Sequence, residues 1–408
     1  MGSFAPPGKQ PGSSADSYSM PAAKTACPDR LPHRVAGKRR GGVRAAALLF
    51  LAAVPVSGRA GGIHLDRDDP ANAAIVRIVT YQSVAGGIVR VTGTGFFVNR
   101  QGQLITNRHL LSRALFSAAL GPGCEPFRVD RVLAEAGDLV MVQIALPSGI
   151  RPPCLELRKE PPVPGEPIRI EGYPLGVGLA SAWGKVVGYR QKPYYGTRSF
   201  EVDAPTFSGN SGGPIVDERG QVVGVTTFRS QEGSSRLAGA LCPHVLMEES
   251  RVIDLPFAVW SRRSGGADGA IGSAARGWRA LQSGESEPAC RYFQAALRKR
   301  GRSPLLHQGL AEALLESGRV GEAASSLCAA IKERPNDFLA HLRLAAVYRR
   351  LGKPELAAVQ EAAGRRLEGA IFARIQTAVA AREQTGLAGL WQKVRYILQP
   401  PVESEPSH

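Results

Sequence analysis

Two patterns of apolar and polar positions divide the chain. From Ala73 to about Val245 the apolar residues come in short runs broken by Gly, Pro and polar turns, the pattern of a β-barrel or sandwich. Ile75 to Tyr81 is one such run. Gly95 to Val98 and Leu104 to Thr106 form a pair joined by Asn99-Arg100-Gln101-Gly102, and Pro214 to Val216 and Val222 to Thr227 form another across Asp217-Glu218-Arg219-Gly220. After about Ser261 the chain turns to Ala, Leu, Glu and Arg with an apolar period of about 3.6 residues, which predicts helices.

The helical part is periodic on a longer scale. Gly284, Gly318 and Gly352 are 34 residues apart, as are Ala289, Ala323 and Ala357; Ala296 matches Ala330, and Pro335 closes the second unit. A recurring Gly suits the turn between two paired helices, where a left-handed backbone is wanted, and a recurring Ala suits a close helix crossing. This region resembles the tetratricopeptide repeat family, which implies about three helix pairs and a role in binding protein partners. The first unit departs from the pattern at Arg298 to Ser303, before Pro304, and the third at Glu361 and Gly364, as end units do. Leu367 to Ile397 is expected to supply a final capping helix.

At 408 residues the chain has room for two or three domains. The divisions read from it are a basic leader and export signal over 1–60, a strand-rich domain over 61–260, a linker over 261–270, repeats over 271–398 and a disordered tail over 399–408. The signal reading rests on Lys38, Arg39, Arg40 and Arg44, followed by the apolar Ala45 to Val56 and then Ser57-Gly58-Arg59-Ala60, the order of charge, apolar core and small residues that export uses. It predicts a periplasmic or secreted protein, anchored to a membrane if the signal is retained. The net charge of +16 carries +7 in residues 1–60, with the rest spread thinly, so no nucleic-acid role is expected. No Cys or His stands at metal-ligand spacing, and neither a metal nor a cofactor is expected. Cys124 and Cys154 are either a disulfide or free thiols.

The chemistry centres on Phe207-Ser208-Gly209-Asn210-Ser211-Gly212-Gly213-Pro214. A serine hydroxyl is a poor nucleophile without a base to take its proton and a pocket for the oxyanion that forms. Gly209 can take the tight path that aims its own N–H and that of Ser211 at one spot, and the oxyanion site is assigned to Gly209, Asn210 and Ser211. His109 follows a Gly-flanked hairpin and the short strand Leu104 to Thr106, placing an imidazole at a barrel edge. Asp138 heads the apolar run Leu139 to Ile144, where a buried carboxylate needs a partner that an imidazole can be; Asp130 is the alternative.

In the order His109, Asp138, Ser211, with these motifs, residues 73–260 resemble the chymotrypsin superfamily, in detail its HtrA-type bacterial branch. The resemblance implies a multidomain chain: an all-β chymotrypsin-like double β-barrel followed by an all-α tetratricopeptide-repeat solenoid. It implies a serine endopeptidase with Ser211 as nucleophile, His109 as general base and Asp138 orienting it, acting on protein or peptide substrates. Gly239-Ala240-Leu241-Cys242-Pro243 matches the closing strand. Asn210 stands where digestive members have Asp, so activation by a new N-terminus is not expected, and Arg108 beside the base is a departure. The substrate pocket falls to Thr206 and Phe207 with Thr226, Thr227 and Phe228. It holds no acidic residue at its base, which disfavours cleavage after Lys or Arg and favours small side chains. HtrA-type enzymes append a PDZ domain, and the repeats resemble a replacement that docks substrate or partner on its concave face. The alternatives are an inactive or gated protease-like scaffold, and an esterase.

Overall fold

The computed structural model describes residues 63–65, 73–84, 87–121, 124–191, 197–229, 237–243, 246, 251–263, 272–300, 302–385 and 403–404. The expected leader and signal over 1–60, the stretch 264–271 of the linker region and most of the tail lie outside the described residues. The side chain of Phe228 does too.

Six strands close a first barrel: β2 (Ile75–Val84), β3 (Gly87–Phe97), β4 (Gln103–Asn107), β5 (Ala114–Leu120), β6 (Pro126–Ala136) and β7 (Leu139–Ile144), paired in the order β2-β3-β4-β7-β6-β5 and back to β2. A second six-stranded barrel follows from β8 (Pro167–Gly172), β9 (Ala180–Tyr189), β10 (Ser199–Asp203), β11 (Pro214–Val216), β12 (Val222–Arg229) and β13 (Leu237–Leu241), in the order β8-β9-β10-β13-β12-β11 and back to β8. Closure pairs each barrel strand with a neighbour on both sides, though β3 meets β4 only at Phe96 and Phe97. The barrels also exchange strands: β1 (Ile63–Leu65) pairs with β9, and β14 (Arg251–Pro256) pairs with β6. After β14, helix α2 (Phe257–Arg263) returns Phe257 and Trp260 to the core of the first barrel.

The repeats form three helix pairs: α3 (Ser273–Gln282) with α4 (Ser286–Arg300), α5 (Pro304–Glu316) with α6 (Val320–Glu333), and α7 (Phe338–Arg350) with α8 (Pro354–Thr385). The recurring glycines sit in the turns within the pairs, with φ of +79° at Gly284, +76° at Gly318 and +65° at Gly352, backbone that L side chains avoid. One expectation is corrected. No separate capping helix begins at Leu367; α8 runs unbroken for 32 residues, because no Gly in a left-handed turn or Pro interrupts it after Pro354.

A second correction concerns the face of the repeats kept for a partner. The first helix of each pair, α3, α5 and α7, packs on the outer surface of the first barrel. Trp278 of α3 is fully buried, stacked on Tyr81 of β2 with ring centroids 3.7 Å apart, 5.6 Å from Phe116 and 5.0 Å from Phe293. Gln282 accepts from Ser117 N at 2.9 Å and donates to Val129 O at 2.8 Å. Arg90 of β3 makes a two-pronged contact with Asp337 at 2.9 and 3.2 Å, and both bond Gln308 of α5. Asp337 also caps α7 by accepting from Ala340 N. The burial of both faces of β2 has its reason here: Val76 and Ile78 face the barrel core, while Val79 and Tyr81 belong to the cluster shared with the helices.

Candidate active site

The register of the first barrel brings His109 and Asp138 together. Asn107 at the end of β4 pairs with Leu139 at the start of β7. His109 lies just beyond the one, in the single turn α1 (Arg108–Leu111), and Asp138 just before the other, in the two-residue turn between Ala136 and Leu139. His109 Nδ1 and Asp138 Oδ2 are 2.8 Å apart, and His109 N donates to Asp138 Oδ1 at 3.0 Å. The Asp138 carbonyl accepts from Arg108 N at 2.7 Å and from Asn107 Nδ2 at 3.3 Å, so main chain and carboxylate are both held. The carboxylate is 5% exposed and the imidazole 46%. This ring is oriented on its Nδ1 side and open on the other, the arrangement a general base requires.

Ser211 comes from the second barrel, in the loop between β10 and β11. Two backbone bonds tie that loop to its barrel: Gly212 N to Thr226 O at 2.7 Å and Thr226 N to Gly213 O at 2.9 Å. Thr94 of β3 ties it to the first barrel, donating through N to Ser211 O at 2.9 Å and through Oγ1 to Gly209 O at 2.6 Å. Gly212 has φ +82°, and a Cβ there would run into Thr94 O and Thr106 Oγ1, so only glycine lets the barrels meet this closely. Gly209 has φ +100°, with the turn Tyr173–Val177 pressed against it. Of the three residues expected at the oxyanion site, Asn210 has its N–H engaged with Phe207 O at 3.0 Å.

The residues read as a substrate pocket divide. Thr206, Phe207 and Thr226 are buried beside the Ser211 loop, and Thr206 Oγ1 accepts weakly from Asn210 Nδ2 at 3.5 Å. Thr227 is elsewhere: its hydroxyl donates to Asp138 Oδ2 at 2.6 Å, on the same oxygen that meets His109. Spacing along the chain carried no signal for this role, since Thr227 reaches Asp138 across 89 residues and from the other barrel. Arg108 is engaged with Glu135, at 3.4 Å, and Trp260, and Asp130, the alternative carboxylate, is exposed on β6. Cys124 is buried and Cys154 exposed, both free thiols, so the disulfide alternative is not formed.

The family model described as a trypsin-like peptidase domain matches residues 93–225, and that of the tetratricopeptide repeat matches 274–336 and 309–384. The chain thus carries a trypsin-like peptidase domain with HtrA-like relatives, followed by tetratricopeptide repeats. Similar curated proteins include the uncharacterized protein y4bJ of Sinorhizobium fredii, 32% identical over 148 residues, covering 35% of this chain and 23% of that protein, and serine protease HTRA1A of Danio rerio, 27% identical over 176 residues, covering 40% of this chain and 36% of that one. The match therefore spans about a quarter to a third of those relatives' lengths. Among solved structures, the active form of the Rv3671c protease from M. tuberculosis is 20% identical with a TM-score of 0.38, covering 54% of this chain and 97% of that one.

Proposed function

We propose that the chain is a serine endopeptidase that cleaves through an acyl-enzyme. Ser211 Oγ attacks the peptide carbonyl, His109 Nε2 takes its proton and returns it to the leaving amine, and Asp138 holds the ring and stabilises the imidazolium. The amides of Gly209 and Ser211 receive the oxyanion. The observation that carries this reading is the fixing of His109 by both oxygens of one buried carboxylate, which itself takes the Thr227 hydroxyl, beside a serine loop that the first barrel pins through Thr94. The pocket side chains Thr206 and Thr226, with no acidic residue among the assigned positions, favour small apolar or small polar residues before the scissile bond. Protein partners of the repeats bind faces other than the one the barrel fills, or displace the barrel from it. Export, and action in the periplasm or outside the cell, belong to the same proposal, supported by the charged and apolar order before Gly61.

The test is hydrolysis of an unfolded protein by the full chain and by Ser211→Ala. Cleavage by the first and a loss on the order of 10⁶-fold in the second is the expected result. An intact chain that cleaves neither peptides nor esters returns the scaffold reading, and ester hydrolysis alone returns the esterase.

A further inference from the structure

A buried chain of contacts runs from the repeats to the amide proposed to bind the oxyanion. It starts at Glu368 of α8, which has no exposed surface and is held by Arg365 at 2.9 Å. Arg77 of β2 reaches it from the barrel, with Nη2 3.4 Å from Glu368 Oε1 and 3.1 Å from Val177 O. The Arg77 guanidinium carbon lies 4.7 Å from the centre of the Tyr173 ring and 5.6 Å from that of Phe338 of α7. Arg77 therefore grips both ends of the turn Tyr173–Val177 while being held by two helices of the repeats.

That turn is what shapes the serine loop. Leu175 has φ +55°, a left-handed backbone costly for leucine, and its N–H donates to Ser208 O at 2.5 Å. In a planar trans peptide the C=O and N–H point in opposite directions, so fixing Ser208 O toward the turn aims Gly209 N–H away from it. Nothing in Gly209 itself would resist a flip of that peptide, because glycine accepts either backbone hand. The Gly209 carbonyl is fixed independently by Thr94 Oγ1, which also accepts from Tyr173 N at 3.0 Å.

We propose that Arg77 is a positioning residue for the oxyanion-binding amide of Gly209, and that docking of the repeats through Glu368 and Phe338 sets it, so that the peptidase site is fully formed only with the repeats in place. The proposal rests on the endopeptidase reading above. It separates two roles for an arginine that a count of buried ion pairs would merge: one that merely stabilises the fold, and one that acts on the transition state.

The experiment measures kcat and KM on a chromogenic peptide ester for the full chain and for Arg77→Met, Arg77→Lys and Glu368→Gln, per folded molecule, below every variant's unfolding transition. Removing an oxyanion donor outright costs about a hundredfold to a thousandfold in kcat, and a loosened donor costs about tenfold to a hundredfold. Arg77→Met is expected to lose that much kcat with KM unchanged to about twofold, Arg77→Lys to recover part of it, and Glu368→Gln to fall between. An active parent chain with an unchanged kcat in Arg77→Met overturns the proposal, as does activity that falls only with the folded fraction. If Arg77→Met does not fold, Glu368→Gln decides: reduced kcat at constant KM supports the proposal, and unchanged kcat overturns it. An inactive parent chain overturns the endopeptidase reading and this proposal together.

Discussion

The cleft between the two barrels and the contact between the first barrel and the repeats are built from opposite kinds of residue. The cleft is held by glycines, short hydroxyls and main-chain groups: Thr94 to Ser211 and Gly209, Thr106 to Thr94, Thr227 to Asp138, with Gly212 against the facing strand. The contact with the repeats uses the largest side chains available: Trp278 on Tyr81, Arg90 with Asp337, Arg77 with Glu368. Short groups leave little freedom, so they place atoms to within tenths of an ångström but bury little apolar surface. Long side chains bury area and charge, and they stabilise more than they aim. Stability should therefore reside in the second region and catalytic precision in the first, with Arg77 the proposed exception, a long side chain of the second region that aims an amide of the first.

The largest expected break in that division is at Trp278. Trp278→Ala removes a fully buried ring packed on three others and should cost about 3–5 kcal/mol, read as a fall in the denaturation midpoint. Where the variant is still folded, kcat should fall far less than in a cleft variant. Next comes Gly209→Ala, where a methyl would meet Tyr173 O and Leu175 N at a φ of +100°. It should lower kcat by about a hundredfold to a thousandfold, the worth of one oxyanion donor, with a smaller change in stability than Trp278→Ala.

The mildest test uses pH. Burial raises the Asp337 carboxyl, but the Arg90 charge and the bonds from Arg90, Gln308 and Ala340 N outweigh it and hold the group below the usual aspartate range. A folded value below the unfolded one means stability that is complete above the ordinary aspartate value of about 3.9 and is lost as the pH falls through the lower, folded value. Thermal midpoints of the full chain should stay level near neutrality and decline in acid. The Asp337→Asn variant should start lower and lack that part of the decline.

What could be read along the chain was what local chemistry demands. A left-handed turn asks for glycine wherever it falls, so the period of Gly284, Gly318 and Gly352 exposed the repeats before any contact was known. The proposed triad was read from local pattern in the same way: Ser211 between glycines, His109 after a short strand and Asp138 at the head of another. What could not be read was long-range. Thr227 came to the pocket through the resemblance, as part of the strand Thr226-Thr227-Phe228, yet its hydroxyl lies on Asp138. Arg77 and Glu368 are 291 residues apart, and neither position carries a local pattern that names the other. The filling of the first-helix face by the barrel left one trace, apolar residues on both faces of β2 (Val76 and Ile78, Val79 and Tyr81), which reads equally well as any buried strand.

The central claim, that Ser211 is the activated nucleophile of this fold, is tested most directly by locating a fluorophosphonate adduct on the full chain by mass spectrometry. The account predicts a single adduct on Ser211, absent after heat unfolding and after His109→Ala. An adduct elsewhere, or a native chain that stays unlabelled while its fold is intact, would contradict it.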